Sequence, residues 1–147
     1  AEDRIGRCWS TDQRLLALVD GEKIYAVSLY ERFSAADCLV HIASDGTKEW
    51  MNRQSLYECF AYPFLTLKLR RVTGLVAAKN RDVIRFDMKL GFRYEGMIRN
   101  GLPDDDLVVL GMLAQECRFI TPAFYKKVEQ EKRWAAQAIL RQKQTQE

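Results

Sequence analysis

His41 is the only histidine of the chain. It is also the one side chain whose ordinary pKa lies near neutrality, which makes it the first candidate for a general base. Glu49 and Glu95 are the carboxylate alternatives. Asp87 has the opposite limitation: an aspartate of ordinary pKa, about 4, is ionised at pH 7 and holds no proton to donate. Lys48 and Arg53 stand where a polar stretch passes into a helical pattern. At a helix start, with its unpaired N–H groups and partial positive charge, Arg53 could grip a phosphate bidentately and Lys48 could add a looser contact. Asp104, Asp105 and Asp106 follow Pro103, and they either draw in a cationic amine or simply favour a bend. Each of these residues has a plain structural reading as well: a histidine bonded within a sheet, an arginine on a solvated helix face. The four cysteines, Cys8, Cys38, Cys59 and Cys117, are far apart and form no Cys-x-x-Cys pair. With a single histidine they make no zinc site, so no metal is expected and they read as buried free thiols.

The 147 residues suit one domain that buries roughly two-thirds of its unfolded surface. Apolar residues at 48% and charged residues at 29% are an ordinary balance for a globular protein. No apolar run approaches the ~20 residues of a membrane span, and no basic and apolar leader opens the chain. A cytoplasmic protein is expected, and the start at Ala1 reads as a processed or trimmed product. The net charge is +3, and residues 121–147 alone hold six basic against three acidic side chains. The remainder is close to neutral, so nucleic acid is not expected as a partner.

Several elements must position these residues. Arg14–Val19 reads as a strand, Asp20-Gly21 as a hairpin turn, and Lys23–Tyr30 as the returning strand. Asp37–Ser44 completes an antiparallel meander. From Asn52 the period changes: Leu56, Phe60, Phe64 and Leu67 predict a helix to about Leu69, kinked or broken at Pro63. Arg71–Lys79 reads as a strand, followed by a helix over 81–90 that Asn80 caps and Gly91 stops in a left-handed conformation. Strands follow at Phe92–Ile98 and Leu107–Leu113, separated by a polar turn. Thr121-Pro122 opens a C-terminal helix to about Arg141. Its stripe of Phe124, Val128, Ala135 and Ile139, with Trp134 beside it, either packs on its own domain or meets a partner.

The run Asn80-Arg-Asp-Val-Ile-Arg-Phe-Asp-Met-Lys-Leu-Gly91-Phe92, followed by Glu95-Gly96, resembles the C-terminal half of the GNAT N-acetyltransferases. Tyr62-Pro-Phe64, Arg71-Val72, Glu95-Gly96-Met-Ile-Arg99 and Asp104-Asp-Asp106 are similar to the ribosomal-protein N-terminal acetyltransferase branch. The Trp50–Arg53 entry and the stretch ending at Arg118 look like small acetyltransferases of phages and prophages. The resemblance covers about residues 12–118.

It implies an α/β (α+β) fold, with a mixed, mostly antiparallel sheet flanked by helices and an extra C-terminal helix. The boundary falls between an acetyltransferase-like domain, 1–120, and a helix and tail, 121–147. Only about eleven residues precede Asp12, so the family's N-terminal strand-helix unit is expected to be absent or reduced. The implied activity is transfer of the acetyl group of acetyl-CoA to an amine, a protein N-terminus or lysine above all. The alternative is a GNAT-fold binding or structural protein without turnover, such as a virion-associated phage protein. The third and fourth strands should splay, so that main-chain groups of Ile42, Ala43 and Ser44 bind the pantetheine arm. Trp50, Arg53, Gln54, Asn80, Phe86 and Lys89 fall where the family contacts the cofactor, and Asp104 and Asp105 near the acceptor side. His41 and Glu49 are the catalytic candidates, and the C-terminal helix is a candidate homodimer contact. Two departures are clear. The glycine-rich pyrophosphate loop is missing, and Asp87 stands where the family has its general-acid tyrosine.

Overall fold

The computed structural model describes residues 12–145. Cys8 and the expected loss of an N-terminal unit fall in residues 1–11, outside the described residues. Six strands form one sheet in the order β1-β2-β3-β4-β6-β5. β1 (Gln13–Asp20) and β2 (Lys23–Glu31) make a hairpin closed where Asp20 pairs with Lys23, and Gly21 takes a φ of +59° there. β3 (Leu39–Ser44) pairs antiparallel with β2. β4 (Arg71–Ala77) pairs antiparallel with β6 (Leu107–Leu113), and β6 with the edge strand β5 (Arg93–Ile98). Among the described residues the only parallel neighbours are β3 and β4.

One face of this sheet carries the core. Tyr30, Val40, Val72, Val76, Leu110 and Met112 project onto it. Three helices supply Cys59, Phe60 and Phe64 from α1 (Arg53–Ala61) and its extension, Leu90 from α2 (Arg81–Leu90), and Phe124 and Val128 from α3 (Pro122–Thr145). Thr121 caps α3 by accepting the Phe124 N–H at 3.2 Å. From Lys132 to Gln144 every α3 side chain is exposed. No helix among the described residues is long and apolar enough to cross a membrane.

At Pro63 the chain stays helical but changes helix type. The helix widens into a π-helical turn over Tyr62–Thr66, closed by the Leu67 N–H on the Tyr62 carbonyl at 3.0 Å, and it ends there rather than at Leu69. A proline has no N–H for the carbonyl four residues before it, here that of Cys59. The phenol of the fully buried Tyr30 donates to that carbonyl instead, at 2.7 Å.

α2 follows the sequence expectation at both ends but not at its cap. Gly91 is left-handed, with φ +117°, and lets the chain turn directly into β5. The Asn80 side chain makes no capping bond, although its carbonyl accepts the Ile84 N–H at 3.2 Å.

Candidate functional site

β3 and β4 share one ladder pair, Leu39 with Thr73. The Thr73 N–H reaches the Cys38 carbonyl at 2.9 Å, and beyond that rung the strands separate. Because the Asp45 N–H turns to the Tyr25 carbonyl of β2, strand alternation directs the main-chain groups of Val40, Ile42 and Ser44 the other way, into the gap. The same alternation on β4 directs those of Leu75 and Ala77 toward it. The main-chain groups of Ile42 and Ser44 therefore face the gap, whereas Ala43 turns its backbone to β2.

A cavity of about 630 Å³ occupies the gap, walled by β3, β4, the 44–51 loop and α2. It is lined by His41, Ile42, Ser44, Trp50, Asn80, Phe86 and Asp87 among others. Trp50 meets Phe86 edge-on with ring centroids 5.9 Å apart, joining the loop to α2. Thr47 and Lys48 line the cavity ahead of α1, and Asn52 caps that helix by accepting the Ser55 N–H at 2.9 Å. Phe92, which ends the Asn80–Phe92 run, also lines it, as do Leu102 and Leu107; the apolar character of those two leucines suits any core, so nothing in the sequence marked them out.

His41 and Glu31 form a buried pair, Nε2 to Oε1 3.1 Å, with side chains only 9% and 6% exposed. Asp87 faces the cavity from the second turn of α2. Burial alone pushes its carboxyl up to about 7. That corrects the expectation of a permanently ionised aspartate, because at neutral pH this group holds a proton about half the time.

Other sequence candidates lie elsewhere. Arg53 is not among the lining residues and pairs with Glu131 of α3. Gln54 bonds Glu58 one turn along at 3.0 Å, a side-chain pair along the helix. The Lys89 carbonyl accepts from Arg118 at 2.6 Å, and its side chain is not among the lining residues. Glu49 is exposed and lies 3.9 Å from Lys23. Glu95 sits on a bulge of β5, where Arg71 grips it at 2.6 Å, and it lies over Gly111 where a Cβ would collide. Asp104 and Asp105 tie their turn to the residue before Asn80: the Lys79 N–H donates to Asp105 at 2.8 Å and its ammonium to the Asp104 carbonyl at 2.8 Å. The Lys79 main-chain bond holds the Asp105 carboxyl below its ordinary pKa. The acidic run thus has work within its own turn.

No family model and no curated relative matches the chain. Solved structures do. A spermidine N-acetyltransferase from Vibrio cholerae, determined in complex with CoA and spermine, superposes with a TM-score of 0.65 at 15% identity, over 76% of this chain and 70% of that one. A point variant of the Vibrio cholerae enzyme gives 0.65 at 14% identity, over 83% and 74%. The fold is that of the GNAT N-acetyltransferases. At such identities the likeness is one of architecture, and what the residues do rests on the geometry just described.

Proposed function

We propose that this chain is a GNAT N-acetyltransferase that moves the acetyl group of acetyl-CoA to a primary amine. The observation that carries this reading is the gap between β3 and β4. A sheet interior that leaves main-chain donors and acceptors turned into a cavity asks for an extended amide-bearing ligand to complete it. The pantetheine arm of CoA is such a ligand. Val40, Ile42 and Leu75 would pair with its amides, the Asn80 side chain would add a contact at the start of α2, and Trp50 and Phe86 would wall it. In place of a glycine-rich loop, Thr47, Lys48 and the first N–H groups of α1 would meet the pyrophosphate.

Acetyl-CoA, when bound, supplies an activated carbonyl with a thiol leaving group. His41 takes a proton from the amine. A main-chain N–H in the gap stabilises negative charge on the carbonyl oxygen, a role for which one well-aimed donor is worth roughly 3 kcal/mol. Asp87, protonated through burial, donates to the departing sulfur.

The acceptor class follows from chemistry rather than from identity. A protein N-terminus, a lysine and a polyamine all present a primary amine, and spermine is bound by the Vibrio cholerae enzyme. The motifs around Tyr62, Arg71 and Glu95 support the ribosomal-protein branch, and the Trp50–Arg53 entry and the stretch ending at Arg118 support the phage branch, hence a protein acceptor and a cytoplasmic site of action. Trp134, Ile139 and Leu140, all more than half exposed on the outer part of α3, support a protein contact through that helix.

Thermal unfolding with and without acetyl-CoA tests the reading. At about 100 times its dissociation constant the ligand should add roughly 2.7 kcal/mol of stability. A melt unmoved by millimolar acetyl-CoA refutes it. A shifted melt without thiol release from any amine would instead identify a binding protein of this fold.

A further inference from the structure

We propose that Thr73 is a positioning residue for the cofactor gap: its hydroxyl, held between Asp37 and Arg71, locks β4 to the start of β3 and fixes the point at which the two strands part. The proposal rests on the acetyl-transfer reading, in which the gap takes the pantetheine arm, and deepens it. Thr73 is 7% exposed and stands opposite Leu39, the one ladder pair that β3 and β4 share. Its hydroxyl donates to the Asp37 carboxylate at 2.7 Å and accepts from Arg71 Nε at 3.2 Å and Nη2 at 3.1 Å. A hydroxyl has one proton to give and two lone pairs to offer, so all of its bonding capacity is used here. Arg71 also lies 3.5 Å from Asp37 and bonds Glu95 at 2.6 Å. The chain Asp37–Thr73–Arg71–Glu95 thus runs from the residues before β3, along β4, and over Gly111 of β6 to β5. It gives a role to the Arg71-Val72 and Glu95-Gly96 motifs, which the acetyl-transfer chemistry leaves idle.

Main-chain bonds gather at the same end. The Thr73 N–H meets the Cys38 carbonyl at 2.9 Å, and the Arg70 and Arg71 N–H groups share the Ala36 carbonyl at 2.9 and 3.1 Å. Among the described residues no ladder pair joins the strands beyond Leu39 and Thr73. Yet Val40, Ile42, Leu75 and Val76 are apolar residues of the kind that suits a buried parallel pair. Facing main-chain donors and acceptors would satisfy one another if the strands could close or slide, and a slip of one residue would turn every side chain of β3 to the other face. A side-chain lock at the last rung opposes both. It holds the gap open before any ligand arrives, so that binding the arm does not carry the cost of ordering the strands. None of the four residues is among those lining the cavity, so they act on the ligand only through the strands they hold.

Thr73→Val keeps the shape and removes the hydroxyl, leaving Asp37 and Arg71 without their shared partner. In titration calorimetry at a temperature where both proteins are fully folded, acetyl-CoA should bind the variant about tenfold more weakly than the wild type. Thr73→Ser, which keeps the hydroxyl, should recover most of that loss; a packing role for the methyl group would not allow it. In turnover with spermine or an alanine-terminated peptide, read as thiol release, the acetyl-CoA KM of Thr73→Val should rise by the same factor, with kcat within about threefold. Glu95→Gln, at the exposed end of the chain, should weaken acetyl-CoA binding severalfold, and it carries the test if Thr73→Val does not fold. Acetyl-CoA affinity that survives Thr73→Val, or Glu95→Gln in its place, overturns the proposal, as does a Thr73→Ser variant as weak as Thr73→Val. A wild type that binds no acetyl-CoA overturns the acetyl-transfer reading itself, and the proposal with it.

Discussion

Asp87→Asn keeps the shape of a cavity-facing side chain and removes its ionisation, so stability alone can test the protonated carboxyl before any acceptor is known. Burial sets the Asp87 pKa at about 7 in the folded protein, against an ordinary value of about 3.9 when unfolded. Between those values the folded protein keeps a proton that the unfolded chain has lost. Stability therefore falls as pH rises from about 4 to about 7 and levels off above it. A shift of roughly 3 pH units at about 1.4 kcal/mol each amounts to about 4 kcal/mol in full, of which about 2–3 kcal/mol lies between pH 5 and pH 8. Urea unfolding followed by tryptophan fluorescence measures it. The asparagine variant should gain on the wild type by about that amount when the pH is raised from 5 to 8. In turnover, the wild-type kcat should decline above pH 7 as the acid ionises. The variant should lack that limb and run at least about tenfold slower at neutral pH. A constant stability difference across the range would refute the reasoning: the carboxyl would then ionise freely in its site, and the sulfur would take its proton from water.

Three further substitutions separate architecture from binding. Arg53→Ala breaks an exposed pair with Glu131 and should cost less than about 1 kcal/mol, with the acetyl-CoA KM unchanged; a KM raised severalfold would return the guanidinium to the cofactor. Asn80→Ala removes no capping bond, so calorimetric unfolding should shift by less than about 0.5 kcal/mol, where a true cap would cost about 1. Titration calorimetry should show acetyl-CoA binding severalfold weaker, and unchanged affinity would rule out a ligand contact. Tyr30→Phe strands the Cys59 carbonyl opposite Pro63 and should cost about 1–3 kcal/mol; an unmoved melting temperature would mean that the carbonyl has another donor.

What was legible in the sequence was local. Helix α2 begins after Asn80 and stops at Gly91, and β6 runs Leu107–Leu113, because their signals lie within a few residues of their ends. The pairing of Asp20 with Lys23 is equally short-range. Pro63 was recognised as a disturbance, but its outcome was not, since the donor that replaces its missing N–H is Tyr30 on another element. The partner of Arg53 was out of sight for the same reason. A bidentate cation at a helix start suits a phosphate, and only the folded chain brings Glu131, 78 residues away, to the same place. The Asp87 carboxyl looked ordinary because type alone predicts an ordinary pKa; its environment is assembled from β3, β4 and α2 together.

The gap itself is the deepest case of this limit. It is made by strands that decline to pair, and pairing depends on main-chain direction, which every residue type shares. Nothing in the composition of β3 or β4 could show that Leu39 would meet Thr73 and that Ile42 would have no opposite number on β4. The resemblance supplied that splay, and the folded chain shows which main-chain groups face it: those of Val40, Ile42 and Ser44, while Ala43 turns to β2. Side chains decide the rest, and there the chain departs in two places from the pattern it resembles, having no glycine-rich loop and an aspartate where the pattern has a tyrosine. Thr47 and Lys48 in place of glycines mean fewer main-chain donors can approach a pyrophosphate closely, so cofactor affinity should depend more on salt than a backbone cradle would. An aspartate in place of tyrosine can serve as an acid only while it stays buried. On the proposed acetyl-transfer reading, both departures would put weight on the 44–51 loop, which Trp50 joins to α2 through Phe86.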